Sequence, residues 1–345
     1  MKTILYGGFF DPIHNGHITV AKKALSSINA DRVIFIPCFI SPTSKKFSAK
    51  FEDRMKMLEL ATLTYPKFEV SNIEQEIEGI SYTYKTIQEF KKKNPNDKIH
   101  ILIGSDQYLI LSKWKNIDEI RRNSIIIVYS REEIKINKIN EKDIILLGKF
   151  LNISSSSLIL KMEEDKINSD VLKYINDNGI YGVKRMKNFG VSDYRIGHAI
   201  QVANLALKIS KKYGITMSKK AFVAGLYHDF CKDAKKELLE EIATKKLEIN
   251  TYTSWKILHG PVGAYIVQKR FCFHDNEVID AIRDHVLLDR PEKLLNKIVF
   301  CADKLALRNQ GNLRDREIIT EIAVNDIDQA YFMIKSQLDA IYRTK

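Results

Sequence analysis

Hydrophobic periodicity changes once along this chain, and that change constrains the fold more than any other feature. Up to about Gly182, short β-branched runs alternate with amphipathic stretches, the pattern of βα units feeding a mostly parallel sheet. Thr3 to Tyr6, Arg32 to Pro37, Phe68 to Ile73, Ile99 to Gly104, Ser124 to Ser130 and Asp143 to Leu147 read as strands, several apolar enough to be buried on both faces. Between them Ile18, Ala21, Ala24, Leu25 and Ile28 form one helical stripe, and Met55, Leu58 and Ala61 begin another. Beyond Gly182 the strand signal stops and only long amphipathic helices remain. The fold class predicted is α/β then all-α: a parallel-sheet domain over 1–183, a basic, polar linker over 184–190 that ends in Gly, and a helical domain over 191–345. A chain of 345 residues suits two cores better than one.

No apolar run reaches the roughly 18 residues that a membrane span needs. The opening MKTILYGGFFDPIHNGH breaks at once into Gly, Asp and His, without the apolar core and cleavage site of a signal peptide, so a cytoplasmic protein without a membrane partner is expected. Cys38, Cys231, Cys272 and Cys301 are scattered with no CxxC spacing, which suits thiols in a reducing compartment and suggests no structural zinc. A formal charge of +12 favours anionic partners. It is equally the product of solvated lysines such as Lys91, Lys92 and Lys93, so charge alone assigns nothing.

The sharpest local feature runs Gly7-Gly8-Phe9-Phe10-Asp11-Pro12-Ile13-His14-Asn15-Gly16-His17, between the first strand and the first helix. Glycines let backbone N–H groups approach a phosphate, and a helix start adds unpaired donors and a favourable dipole. Two histidines three apart can face the same phosphates and stabilise charge that grows during transfer. One such histidine would more simply be a cap or a core residue. The whole string, however, resembles the GGxFDPxHxGH signature of adenylyltransferases related to class I tRNA synthetases.

Further segments narrow the resemblance. Ile103-Gly104-Ser105-Asp106-Gln107, Ser112-Lys113-Trp114, Ser81-Tyr82-Thr83, Arg54 to Leu58, the Pro37 to Lys46 loop and Val171 to Tyr181 resemble the bacterial nicotinate-mononucleotide adenylyltransferases. The likeness spans residues 1–183 and implies a Rossmann-like nucleotidyltransferase sheet. It implies ATP, with Mg²⁺, over Gly7, Gly8, Phe9, His14 and His17, with adenine near Gly104 and Asp106 and with Ser155 and Ser156 also at the nucleotide. Thr83 would hold the acceptor, nicotinate mononucleotide, and Trp114 would stack on its ring; beside a helix, a Trp also serves as plain packing. Lys45 or Lys46 would reach phosphate from a loop. Two departures stand out: Ile159 occupies the arginine position of the family's ISSTxIR stretch, and the lysine loop lacks the family's His before Lys. Losing a charge-assisted phosphate contact costs on the order of 1.5–3 kcal/mol unless a cation such as Lys161 compensates.

The helical half carries His198, His228-Asp229, His259, His285 and Asp303 on successive helices. Neutral imidazoles and carboxylates suit first-row transition metals, and a carboxylate can bridge two ions. Each histidine alone reads as a satisfied core residue. Together, Ala224 to Lys232, with Arg195 to His198 upstream and Cys301-Ala302-Asp303-Lys304 downstream, resemble the signature of HD phosphohydrolases. His259 and His285 add a likeness to the bacterial HD family of symmetrical bis(5′-nucleosyl)-tetraphosphatases, covering about Val191 to Arg308. The likeness implies two transition-metal ions, iron or manganese. His198, His228, Asp229 and Asp303 would hold one and Asp229, His259 and His285 the other, with Asp229 catalytic and diadenosine tetraphosphate as substrate. Lys232 is either a catalytic phosphate contact or an exposed lysine after a helix, and Arg308 is a weaker candidate of the same kind. Val286, Leu287, Leu288 and Asp289 replace the family's Thr and Gly-containing turn.

Competing readings are transfer to phosphopantetheine or nicotinamide mononucleotide, an HD 5′-nucleotidase or alarmone hydrolase, and a nucleotide- or RNA-binding regulator with decayed sites. The completeness of both motifs favours the two enzymes, with nucleic acid not expected among the partners.

Overall fold

The computed structural model describes residues 1–44, 46–130, 140–146, 153–286, 293–306 and 313–343. Six strands, β1 Lys2–Gly8, β2 Arg32–Pro37, β3 Phe68–Val70, β4 Lys98–Gly104, β5 Ile125–Tyr129 and β6 Ile144–Leu146, form one sheet of order β3-β2-β1-β4-β5-β6. Every pairing is parallel. Helices follow as α1 Asn15–Ser27, α2 Phe51–Thr62, α3 Thr83–Lys93, α4 Ser105–Leu109, α5 Ile117–Asn123, α6 Ser155–Leu160 and α7 Ser169–Asp177. The remaining helices are α8 Gly182–Phe189, α9 Asp193–Ser210, α10 Ile215–Tyr227, α11 Lys236–Leu247, α12 His259–Phe271, α13 Asn276–Asp284, α14 Leu294–Leu305, α15 Arg316–Asn325 and α16 Ile327–Arg343. No helix of the described residues is long and apolar enough to cross a membrane.

Alternation along the strands explains the layers. Leu5, Ile34, Ile36, Ile99, Ile101, Ile103, Ile126 and Val128 point to one face, where Ile87 and Phe90 of α3 and Ile120 of α5 cover them. Ile4, Tyr6, Val33, Phe35, Leu102 and Ile127 are buried on the other. Both faces being covered is what a parallel sheet with helical crossovers requires. β1 runs further than expected: Gly7 and Gly8 remain in the sheet, opposite Ile36 and Pro37 of β2. β3 is shorter, because the chain turns into a single 3₁₀ turn at Ile73–Gln75. The strand expected to end at Leu147 is described through Leu146, its last expected residue lying outside the described residues.

The chain divides into two compact units, Met1–Ile159 with Glu163–Leu172, and Leu160–Met162 with Lys173–Lys345. Residues 184–190, expected as a linker, fall on α8 and its C-terminal Gly190. The reason is Arg185. Its side chain is fully buried, with Nη1 donating to Tyr227 Oη (3.1 Å) and Asn176 Oδ1 (3.3 Å) and its plane 4.5 Å from the Phe271 ring. Asn176 Nδ2 in turn donates to the carbonyls of Phe271 and Cys272, both at 3.0 Å, where α12 ends. A charge run that looks like a solvated tether therefore anchors the start of the second unit.

Arg185→Ala should destabilise the second unit by about 2–4 kcal/mol, since it leaves buried polar partners unsatisfied. Urea unfolding of the full chain followed by a probe in α9–α14 measures this, and an unchanged midpoint would contradict the anchoring role.

Candidate functional sites

In the first unit the strand order reverses between β1 and β4, and ligands of open α/β sheets bind in the crevice outside the carboxyl ends at such a point. Gly7-Gly8 closes β1 and Gly104 closes β4, so both crevice walls end in glycine. A Cβ on Gly7 would point into open space, while one on Gly8 would meet the Phe10 ring at 3.0 Å. A Cβ on Gly104 would lie 2.4 Å from Oδ1 of the Asp106 side chain, which would have to swing aside. Asp106 itself is exposed and accepts from Gln107 Nε2 at 2.9 Å.

His14 and His17 flank the start of α1 with rings stacked at 3.7 Å and 25°, both buried. The His14 backbone N–H donates to His17 Nδ1 at 3.2 Å. An accepting Nδ1 puts the proton of the neutral ring on Nε2, which makes that nitrogen a donor, the state a phosphate contact requires. Tyr6 and Phe10 pack edge-on against His17 at 6.2 and 5.1 Å and fix the ring. Ser155, at the start of α6, donates from Oγ to Pro12 O at 2.8 Å and so braces the loop, whereas Ser156 is exposed. Ile159 is buried in the core, 1% exposed, and offers nothing to an anion.

Thr83 opens α3 half-buried, one turn from Thr86, whose Oγ1 donates to the buried Glu74 carboxylate at 3.1 Å. Glu74 also accepts the Phe39 N–H at 3.2 Å, and burial pushes its carboxyl above the usual range. Trp114 is half-buried and packs against the cluster under α3 and α5, as Tyr84 and Ile117 also do. Lys46 is exposed; Lys45 lies outside the described residues.

In the second unit six expected side chains come from five helices. His198 is on α9, His228 and Asp229 follow α10, His259 opens α12, His285 follows α13 and Asp303 is on α14. Two close approaches bring them together. A Cβ on Gly225 would lie 2.9 Å from Ala203 Cα, so α9 and α10 meet backbone to backbone, and one on Gly260 would lie 2.6 Å from Arg283 O, so α12 and α13 touch beside His259 and His285.

Three rings share one device. His228, His259 and His285 each set Nδ1 against the carbonyl three residues earlier, Gly225 O at 2.7 Å, Lys256 O at 2.6 Å and Ile282 O at 2.7 Å. A carbonyl can only accept, so Nδ1 carries the proton and Nε2 presents a lone pair inward. His259 Nε2 and His285 Nε2 stand 3.1 Å apart, and both face Asp229 Oδ1, at 3.0 and 3.5 Å. Buried His228 Nε2 has no hydrogen-bond partner and faces Asp229 Oδ2 at 3.7 Å and Asp303 Oδ1 at 3.5 Å. Asp303 Oδ1 also lies 3.0 Å from His198 Nε2. Imidazole nitrogens converging on shared carboxylates are a donor set that suits a cation. Two groups of potential ligands, His198–His228–Asp229 and Asp229–His259–His285, share one carboxylate, and the nitrogen and oxygen donors suit divalent transition ions.

Burial opposes charge on His228, but Asp229 and Asp303 draw its pKa above the usual imidazole value. Burial opposes ionisation of Asp229, but His228, His259 and His285 hold it well below the carboxylate range; burial likewise opposes ionisation of Asp303, which Lys304 and His198 hold low. Burial pushes His285 down to about 4, keeping the ring neutral as a ligand must be. Lys232 Nζ lies 3.1 Å from His259 Nε2 and 3.6 Å from Asp229 Oδ1. Sequence reasoning gave no role to Arg195, whose Nη1 is 3.6 Å from Asp229 Oδ2, or to Lys304, whose Nζ donates to Asp303 Oδ2 at 2.8 Å. Adjacency of Lys304 to Asp303 was the available signal. Arg308 and residues 287–289 lie outside the described residues.

Residues 5–162 match the cytidylyltransferase-like family and residues 195–308 the HD domain family. A Mycoplasma genitalium protein named "Probable nicotinate-nucleotide adenylyltransferase/Ap4A hydrolase" is 36% identical over 346 residues, covering 99% of this chain and 95% of its own. A Mycoplasma pneumoniae protein of the same name is 32% identical over 307 residues, 88% of each chain. A Clostridium tetani "Probable nicotinate-nucleotide adenylyltransferase" is 34% identical over 198 residues, 53% of this chain and 99% of its own.

Gly260→Ala should force α12 from α13 and separate His259 from His285. Titration of the purified variant with a divalent transition ion should show binding weakened about 10- to 100-fold relative to wild type. Unchanged stoichiometry and affinity would show that the close approach does not set this half of the site.

Proposed function

Because this chain belongs to the family of fused nicotinate-nucleotide adenylyltransferase/Ap4A hydrolases, we propose that its first unit adenylylates nicotinate mononucleotide with ATP and its second cleaves diadenosine tetraphosphate symmetrically to two ADP. The observation that carries the reading furthest is the Asp229 carboxylate held in common by two groups of metal-type ligands. A separate crevice of glycine-ended strands and paired imidazoles supports the transfer half.

Transfer is an in-line displacement. The 5′-phosphate oxygen of nicotinate mononucleotide bonds to the α-phosphorus of ATP, the bond to the β-phosphate oxygen breaks, and pyrophosphate leaves; nicotinate adenine dinucleotide, a precursor of NAD, remains. Positioning and charge neutralisation supply the rate. Backbone donors at Gly7, Gly8 and Phe9 and the Nε2–H groups of His14 and His17 serve the triphosphate, which arrives with Mg²⁺. Gly104, Asp106, Ser155 and Ser156 serve the adenosine side, Thr83 and Trp114 the acceptor, and Lys45 the phosphates.

For hydrolysis, His198, His228, Asp229 and Asp303 would hold one ion, and Asp229, His259 and His285 the other, iron or manganese in our reading. Such a pair lowers the pKa of bound water and neutralises anhydride oxygens. Lys232 adds a cation at the rim for a phosphate oxygen. The rings keep their inward lone pairs through the Nδ1 bonds, and Asp229 stays ionised between them. Four reduced cysteines and nucleotide substrates suit the cytoplasm.

His17→Ala should lower adenylyl transfer by about 10²- to 10³-fold and leave hydrolysis at the wild-type rate. Asp229→Ala should do the reverse, abolishing ADP formation from diadenosine tetraphosphate. Assays of pyrophosphate and of ADP on each variant decide it: loss of both reactions in either variant contradicts two independent sites, and failure of the wild type to yield ADP removes the hydrolase reading.

A further inference from the structure

The glycine loop of the first unit is fastened from behind by groups that the reaction itself does not use. Asp11 sits between the glycines and His14, yet its carboxylate turns away to the chain that follows β2: Oδ2 accepts the Ser48 N–H at 2.6 Å and Oδ1 the Ala49 N–H at 3.0 Å. Arg54 on α2 is 1% exposed and spreads its fork over two strand ends, Nη1 donating to Phe9 O at 3.0 Å and Nη2 to Cys38 O at 2.8 Å. Its face lies 4.0 Å from the centre of the Phe47 ring, and Phe47 meets Phe9 edge-on at 5.2 Å.

The Arg54 fork ties Phe9 to Cys38 just after β2, and the Asp11 bonds and the Phe47 ring contacts join the same two segments. One is Phe9–Asp11, which leads the backbone from β1 to the paired histidines. The other is Phe47–Ala49, the end of the loop that bears Lys45 and Lys46. We infer that Asp11 and Arg54 are positioning residues that clasp the lysine-bearing loop to the glycine loop, so that phosphate ligands from both are presented as one unit. Neither carboxylate nor guanidinium needs to touch substrate. A fork to two carbonyls cannot be supplied by a lysine, whose ammonium is a point charge with no fixed pair of directions. The inference rests on the transferase reading for its consequence in turnover, but the clasp itself is a property of the unliganded chain.

The test uses the full-length protein as wild type, Asp11→Ala, Asp11→Asn, Arg54→Lys and Arg54→Met. Hydrogen exchange reads the clasp without any substrate: Asp11→Ala should release the Ser48 and Ala49 amides, and Asp11→Asn, which keeps one acceptor oxygen, should release them less. In adenylyl transfer, Asp11→Ala and both Arg54 variants should lose about 10- to 100-fold in kcat, with KM for nicotinate mononucleotide and the rate of diadenosine tetraphosphate hydrolysis unchanged. A uniform loss of stability would instead move all of these together. Wild-type exchange at residues 48–49 in Asp11→Ala, or full kcat in Arg54→Lys, overturns the clasp. A wild type that protects these amides but transfers nothing to nicotinate mononucleotide overturns the transferase reading and leaves the clasp standing on its exchange result.

Discussion

A carboxylate buried among imidazoles is the constraint on which the second unit turns. Asp229 is buried, yet its carboxyl is held well below the usual range, because the charge on His228 and hydrogen bonds from His259 and His285 outweigh the cost of burial. A bound cation would take the place of those protons, and the rings are already aimed for it, each tied through Nδ1 to a carbonyl of its own preceding turn so that Nε2 faces inward. The bonds look minor, yet they convert three rotatable side chains into fixed ligands. Bringing five helices to one point then requires backbones closer than ordinary side chains permit, and Gly225 and Gly260 supply the gaps. Chemistry, tautomer and helix packing are thus one problem solved together.

On the proposed reading the first unit would meet anionic phosphate by another route, with backbone groups at strand and helix ends and two stacked rings as donors in place of ions held in protein ligands. Parallel strands all end on the same edge, and the reversal of order between β1 and β4 opens a crevice there without any side chain being removed. Glycine at both strand ends keeps that crevice clear. On the proposed reading a metal would arrive with the nucleotide here, whereas in the helical unit the protein itself would supply the metal ligands.

Much of this was legible in the sequence because each feature left a local mark. The change of periodicity gave the two classes of architecture, and the string from Gly7 to His17 marked its strand–loop–helix even though Gly7 and Gly8 belong to the strand. The histidines and aspartates of the helical unit were readable as a set, since chemistry of that kind has few other uses. What escaped has a common cause: it depends on partners distant in sequence. Arg185 looks like part of a solvated basic run until Tyr227, Asn176 and Phe271 close around it. Gly260 looks like a helix-start glycine until Arg283 O stands 2.6 Å from its missing Cβ. Trp114 could be read as stacking platform or packing, and it packs against the apolar cluster on one face of the sheet while remaining half-buried.

Ile159 shows how one local departure reaches the rest of the site. An arginine at that position would carry its charge to the phosphates; isoleucine is buried instead, and the segment contributes Ser155 to bracing Pro12 rather than a cation to the ligand. On the transferase reading proposed above, positive charge would come from the helix start, the two imidazoles and the lysine-bearing loop. A loop is a poor place for an essential cation, because ordering it at the moment of binding costs conformational entropy. Tethering its far end in advance, through Asp11 to Ser48 and Ala49 and through Arg54 beneath Phe47, lowers that cost before substrate arrives. The more the site relies on this loop for positive charge, the more its activity depends on residues that never meet the phosphate.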